Sequence, residues 1–438
     1  MAPQLTESAN GIDVRTVILK SEVFPDGEKL GSYSGPDNRF ALMSIQSPGA
    51  KVGIALTDTF ISGTVRRVAN MFKALSLQHP SRYHLIVSEE LYGWLNRAQY
   101  HLDDYPNVHH LKVRSRLDSK KWETESLTFE DVGRYLTLRN FRKQTAHIIK
   151  EENIRILQVV LDSVYMFGLH PIPGVVQIAS LVSHLRRHYD NTNLMGRVLR
   201  FCLGRYDLID CISPRIYELG LQNGFPPNKM FCAPNSFVNV EQYKPEKKNV
   251  NQIVFAARLN DFKNPELYLN AINETHEQCP QAEFHLLGTG PLRERIKRRL
   301  HTLGLQCRVH SGFMWDTSRV LNKSSINVHL EEEDNYPNQS LLEGMAAGNA
   351  IVATDVGLTR RLAGEDNGIV IPPSDTRALT KAMIWMLEHP GETLKMGKRS
   401  REKVLREHTL DSYLKYIEDV YDRASLPLLG KRDPDERT

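Results

Sequence analysis

Long apolar runs, paired cysteines and an excess of either charge are all scarce in this 438-residue chain, and each scarcity excludes something. No apolar stretch approaches the roughly 20 residues that a membrane-spanning helix needs. Met1 to Asn10 is polar and no apolar segment follows it, so the N-terminus does not read as a secretory signal. The expectation is a cytoplasmic chain that stays where it is made. The five cysteines, Cys202, Cys211, Cys232, Cys279 and Cys307, are an odd number without metal-type spacing. They suit reduced thiols better than a disulfide framework, with Cys211 and Cys232 as small core residues in strand-like runs. Against 56 Lys and Arg stand 52 Asp and Glu, a formal net charge of +4. That mild surplus permits an acidic partner or membrane surface, and no nucleic-acid motif accompanies it.

What the chain has is the composition of a soluble globular protein, 41% hydrophobic and 25% charged, over a length too great for one ordinary core. Short β-branched runs alternate with helical patterns. The expected strands are Val52–Leu56, Tyr83–Val87, Val108–Val113, Arg155–Leu161, Val175–Ala179 and Leu208–Ile212, then Gln252–Ala257, Glu283–Leu287, Arg308–Ser311, Ile326–Leu330, Ala350–Ala353 and Gly368–Ile371. Most are continuous apolar stretches, as parallel strands covered on both faces require. Helical patterns such as Val65–Leu77, Pro291–Leu303 and Thr376–Leu387 lie between them. Repeated βα units predict an α/β fold of doubly wound parallel sheets.

The polar stretch Asn239 to Asn251, which carries Pro245, separates two βα series and reads as a linker. The expected division is an unassigned extension over 1–50, a first domain over 51–240, a second over 241–405, and a C-terminal helix and charged tail over 406–438. Ligands of such folds bind outside the carboxyl ends of the strands, here in the cleft between the sheets.

The loops after strands hold the candidate residues. Asp334 to Gly348, DNYPNQSLLEGMAAG, follows a strand and opens a short helix at Ser340 that Gly348 ends. Exposed N–H groups at such a start hold phosphate or sugar oxygens, and Glu343, one turn in, suits two vicinal hydroxyls. Ser340 and Glu343 equally fit a capping box, in which Glu343 serves only its own helix. Arg258 and Lys263 on the loop after Gln252–Ala257 suit a diphosphate, with solvated surface cations as the bland alternative. Gly288-Thr289-Gly290-Pro291 is a strand-to-helix turn that permits close backbone approach. Gly63, between Ser62 and Thr64, opens the first helix and would let an acceptor or a phosphate come near the backbone, as in a donor site, and a tight turn explains it as well. His184, with Arg186, Arg187 and His188, stands after Val175–Ala179 as a polariser or base, or as a surface histidine. Arg197, Arg200 and Arg205 interleave with apolar residues, a pattern for an anionic membrane surface or for a core helix with a basic outer face.

In this order the segments resemble the family-4 (group 1) nucleotide-sugar glycosyltransferases of the GT-B fold, well over 240 to 420 and loosely before. The resemblance implies two Rossmann-like domains facing across a cleft, the first binding acceptor and the second donor. It puts Arg258 and Lys263 on the donor diphosphate, Gly288 and Gly290 in the strand-end turn, and Glu343 as the second glutamate of an E-x7-E motif, on the ribose. Counting back eight from Glu343 lands on Asn335, with Asp334 one earlier, as if Gln339 were inserted. Asp334 is taken as the first acid, with Asn335 as the alternative. Tyr336, Asn338, Gln339 and Ser340 complete the donor set. Asn235-Ser236 replaces the family's usual Asn-Gly, and Ser180 stands where its histidine usually lies, with His184 a turn later.

The implied activity is retaining, metal-independent hexosyl transfer from a UDP- or GDP-linked sugar to a hydroxyl of a glycan or lipid-linked glycan. No cofactor is implied, and the setting is cell-surface polysaccharide or glycolipid assembly, with peripheral membrane contact at the cytoplasmic face. The sole Asp-x-Asp, Asp433-Pro434-Asp435, sits in the charged tail as a solvated segment. The sequence sets no oligomeric state. The shifted acid and missing histidine motivate a rival reading, a catalytically silent nucleotide-sugar-binding scaffold. A nucleotide-sugar epimerase or hydrolase of the same fold is a further one.

Overall fold

The computed structural model describes residues 49–57, 62–113, 129–160, 163–182 and 194–429. The strand-like piece Val14–Leu19, His184 with its neighbours and the charged tail lie outside them.

Seven strands build the first sheet: β1 (Val52–Leu56), β2 (Tyr83–Ser88), β3 (Val108–Leu111), β4 (Ile156–Val160), β5 (Val176–Leu181), β6 (Leu208–Cys211) and β7 (Met230–Cys232). Six build the second: β8 (Asn249–Ala256), β9 (Glu283–Leu287), β10 (Val309–Gly312), β11 (Ser324–His329), β12 (Ala350–Thr354) and β13 (Gly368–Ile371). The orders are β3-β2-β1-β4-β5-β6-β7 and β10-β9-β8-β11-β12-β13. Every ladder is parallel. In both sheets the order reverses beside the first strand, which opens a crevice at the carboxyl ends of β1 and β4 and of β8 and β11.

The continuous apolar runs are continuous because both faces are covered. Val65, Phe72 and Leu75 of the helix Gly63–Gln78 pack on one face of the first sheet together with Tyr413, Ile417 and Tyr421. Phe141, Phe167 and Tyr206 take the other. On the second sheet, Tyr268 and Ile272 with Met383 and Leu387 form one layer, and Leu341, Leu342 and Met345 the opposite one. Each such side chain contributes roughly 1.5–3 kcal/mol by leaving water.

The structure corrects the sequence reading at three places. β7 is a three-residue edge strand, too short for a periodic signal. Asn249 to Asn251, read as linker, already belong to β8, whose ladder with β11 reaches Ser324 through a register irregularity. The linker, read as polar, buries Tyr243 in the second core, beside Val238 just before it.

The helix Leu410–Leu429 returns to the first sheet. Its Tyr416 hydroxyl donates to Asp210 Oδ1 at 2.6 Å, Ser180 Oγ donates to Asp210 Oδ2 at 2.8 Å, and Gln158 Nε2 donates to Ser180 Oγ at 2.7 Å. Tyr421 closes the chain by donating to Gln158 Oε1 at 2.5 Å. Burial pushes the Asp210 carboxyl above its ordinary value, and the bonds from Tyr416 and Ser180 offset only part of that push.

Candidate functional site

The loops after β8, β9, β11 and β12 form one floor on the second domain. Leu259 N–H donates to Thr289 O at 3.0 Å, Glu332 N–H to Phe262 O at 3.2 Å, and Thr354 Oγ1 to Glu331 O at 2.6 Å. Gly288 and Gly290 make that floor possible. A Cβ on Gly288 would lie 1.9 Å from the Ala257 carbonyl oxygen, and one on Gly290 2.4 Å from that of Leu259. Their φ values of 154° and 158° disfavour side chains as well. The backbone approach foreseen at this turn is thus made to the Arg258 loop itself.

Lys263, at the end of the short turn Asp261–Lys263, contacts Glu331 across the crevice between β8 and β11. Glu331 is 3% exposed and also accepts from Asn338 Nδ2 at 2.6 Å. Burial would raise its carboxyl, but the Lys263 ammonium and neighbouring His329 outweigh it and hold the group below its ordinary value. Burial drives His329 the other way, down to about 4. Neither Glu331 nor His329 was singled out from sequence. The signal was there: the acidic run Glu331 to Asp334 follows a strand after one residue, Leu330. Arg258 is half-buried on the same loop as Lys263.

The helix after β11 runs from Gln339 to Ala346, one residue earlier than expected, and Asn338 caps it by accepting from Leu341 N–H at 3.4 Å. Ser340 Oγ donates to the same Asn338 Oδ1 at 2.9 Å. Glu343 therefore lies on the second turn, beyond the position from which a capping-box glutamate reaches back. Its oxygens instead accept from Arg66 Nη1, of the first domain, at 3.1 and 3.2 Å. The same nitrogen lies 3.4 Å from the Tyr243 hydroxyl. Burial works against the charge on Arg66, but Glu343 outweighs it and holds the guanidinium above its ordinary range. Arg66 was missed because its partner is 277 positions away in the chain.

Gly63 meets this helix directly, since a Cβ on it would lie 2.6 Å from Gln339 Cβ. The first helix of one domain and the cleft helix of the other thus touch end to end, with Gly63, Arg66, Gln339 and Glu343 together. Asp334 turns into its own domain: Oδ1 accepts from Tyr336 N–H at 3.0 Å and Leu358 N–H at 3.2 Å. Tyr336 is buried, and its hydroxyl donates to Asn235 Oδ1 at 3.3 Å, joining the loop to the segment just before the linker. Asn335 is half-buried beside it. His184 lies outside the described residues, and Ser180, the residue at the family's histidine position, is locked in the Asp210 network.

The fold is the GT-B arrangement of two doubly wound parallel sheets. Residues 250–389 match the model of the family described as glycosyl transferases group 1. The fold is shared with a glycosyltransferase from Rickettsia africae, at 16% identity and a TM-score of 0.61 over 86% of this chain and 99% of that one. HepE of Anabaena, solved in complex with UDP-glucose, aligns at 14% identity and a TM-score of 0.67 over 85% of this chain and all (100%) of its own. Among curated proteins, the D-rhamnosyltransferase WbpZ of Pseudomonas aeruginosa is 28% identical over 166 residues, 36% of this chain and 42% of that relative. The O-antigen chain mannosyltransferase C of Escherichia coli is 27% identical over 140 residues, 30% of this chain and 37% of its own. The chain thus spans less than half the length of these two relatives.

Proposed function

We propose that the chain is a glycosyltransferase that moves a sugar from a nucleoside diphosphate sugar, UDP- or GDP-linked, to a hydroxyl of a glycan or lipid-linked glycan in cell-surface polysaccharide or glycolipid assembly. The observation that carries this reading is Glu343, a buried carboxylate on the cleft wall whose partner comes from the facing domain rather than from its own helix. In the proposed complex the ribose hydroxyls take the place of Arg66. The activities named for these relatives, rhamnosyl and mannosyl transfer, support the same reaction class.

The proposal gives the donor to residues 241–405 and the acceptor to 51–240, with the helix Leu410–Leu429 crossing back. As the glycosidic bond breaks, negative charge collects on the leaving diphosphate. Arg258, Lys263 and the backbone around Tyr336 to Gln339 would meet it with positive potential already in place, and removal of one such donor commonly costs on the order of 10²–10³ in rate. We assign same-face, retaining chemistry without a metal, in which the leaving phosphate helps take the acceptor proton. Asp334 and Asn335 stand at the sugar end, and the backbone bonds of Asp334 favour Asn335 as the group that reaches the hydroxyls. The reading places the enzyme at the cytoplasmic membrane face. Phe201, 57% exposed, and Val198, 40% exposed, rise among Arg197, Arg200 and Arg205, which supports contact with anionic lipid there. No helix among the described residues is long and apolar enough to cross a membrane.

A thermal-shift screen of nucleotide sugars tests the donor, since a ligand at 100 times its dissociation constant adds about 2.7 kcal/mol. Sugar transfer to lipid-linked acceptors from the hit is the expected second result. The rival scaffold reading draws on one observation, that Lys263 and Glu343 are each already paired in the cleft. Tight nucleotide binding without turnover on any acceptor would favour it, and acceptor-independent release of sugar at full rate would favour a hydrolase.

A further inference from the structure

We infer that His84, His109 and Glu152 form a binding site for a divalent metal ion of zinc type at the amino ends of the first sheet. One ligand atom from each of the three residues lies within 4.8 Å of the others. His84 is the second residue of β2, His109 the second of β3, and Glu152 follows the helix Phe129–Glu151 just before β4. All three therefore sit at the end of the sheet opposite the carboxyl-end loops of the cleft. The site is separate from the donor site and does not depend on the reading of it.

The geometry is that of a chelate. His84 Nδ1 and His109 Nε2 face each other at 3.1 Å. Two nitrogens at about 2.0–2.1 Å from a tetrahedral zinc ion are separated by roughly 3.3 Å, so a few tenths of an ångström admit the ion. Glu152 adds an anionic oxygen, and a water completes the four ligands on the side where His109 and Glu152 are half-buried. Burial, then the neighbouring imidazole, holds His84 down to about 4, and burial also lowers His109. The other charges facing the cluster are Lys51, 3.6 Å from Glu152, and Glu151. Lys51 is the group the ion displaces.

The second sheet supplies an internal contrast. His285 and His310 stack there in the same way, with centroids 4.8 Å apart, but His285 Nε2 lies 2.9 Å from the amide of Gln252. That pair has an amide partner where the first sheet has a carboxylate. The metal would tie β2, β3 and the turn into β4 into one unit, fixing the edge of the first domain by ligands distant in sequence.

The test uses the full chain, free of any affinity tag and stripped with chelator. Zinc chloride is titrated calorimetrically, and cobalt chloride is followed by its visible d–d bands. One equivalent of saturable binding with the intense bands of tetrahedral cobalt is expected. His109→Ala and Glu152→Gln change half-buried positions and should fold. Each should weaken binding by at least the roughly 10–100-fold that loss of an outer-shell partner costs. His285→Ala should bind as the parent does. Absence of saturable one-to-one binding, or parental affinity in both His109→Ala and Glu152→Gln, would overturn the proposal.

Discussion

Arg66 and Glu343 sit on helices of opposite domains and join them through one guanidinium nitrogen, 3.1 and 3.2 Å from the two carboxylate oxygens. The pair closes the cleft at the place where the proposed donor binds. Both side chains are shielded from water, Glu343 the more so, so removing one partner strands a buried charge and costs more than at an exposed ion pair.

The first prediction separates the two partners by their effect on donor affinity. Glu343→Gln should raise the donor Michaelis constant about tenfold or more, equivalent to roughly 1.4 kcal/mol, by weakening a charge-assisted bond to ribose. Arg66→Ala removes the competitor and should leave that constant unchanged or lower it. Both variants should lose stability without donor, with a coupling of at least about 1 kcal/mol in a double-mutant cycle. Michaelis constants unchanged in both variants would reduce the pair to an interdomain strut.

Lys263 and Glu331 lead to a prediction with a sign in pH. Because the folded state holds the Glu331 carboxyl below its ordinary value, its contribution to stability is present above that ordinary value. The contribution is lost as pH falls through the lower folded one. Lys263→Met should abolish this acid-side loss while destabilising the protein at neutral pH, since it leaves a buried carboxylate unpaired. Adding Glu331→Gln should restore neutral stability but not activity. Chemical denaturation across pH, paired with transfer rates, reads both, and recovery of rate in the double variant would count against Lys263 on the diphosphate.

Gly63→Ala is expected to prop the cleft apart, because the new Cβ falls 2.6 Å from Gln339 Cβ. Transfer should fall while melting of the first domain is little changed. Gln339→Gly in the same chain removes the obstacle and should restore the rate. An alanine variant as active as the parent would show that the two helix starts part freely during turnover.

The Asp210 network makes a claim about the C-terminal helix. Tyr416→Phe removes a 2.6 Å donor to a buried carboxylate and should cost about 1–3 kcal/mol. The loss should concentrate as faster hydrogen exchange over 410–426 and not over the second sheet. Uniform exchange would mean that this helix is held by its apolar face alone, through Tyr413, Ile417 and Tyr421.

The alternation of β-branched runs with helical patterns determined the two doubly wound sheets, because parallel strands buried on both faces need nearly continuous apolar sequence. Glu283–Leu287 and Gly368–Ile371 were legible to the residue for that reason. The candidate donor loops could be singled out because ligands of such folds bind beyond strand ends, and Arg258, Lys263 and Glu343 follow strands in order. What the sequence left open was what each of those groups faces. Only the tertiary structure decided that Glu343 meets Arg66 rather than its own helix start, that Lys263 meets Glu331, and that Ser180 is sealed under the last helix. Local periodicity constrains residues three or four positions apart, whereas partners such as Arg66 and Glu343 are brought together solely by the packing of two domains.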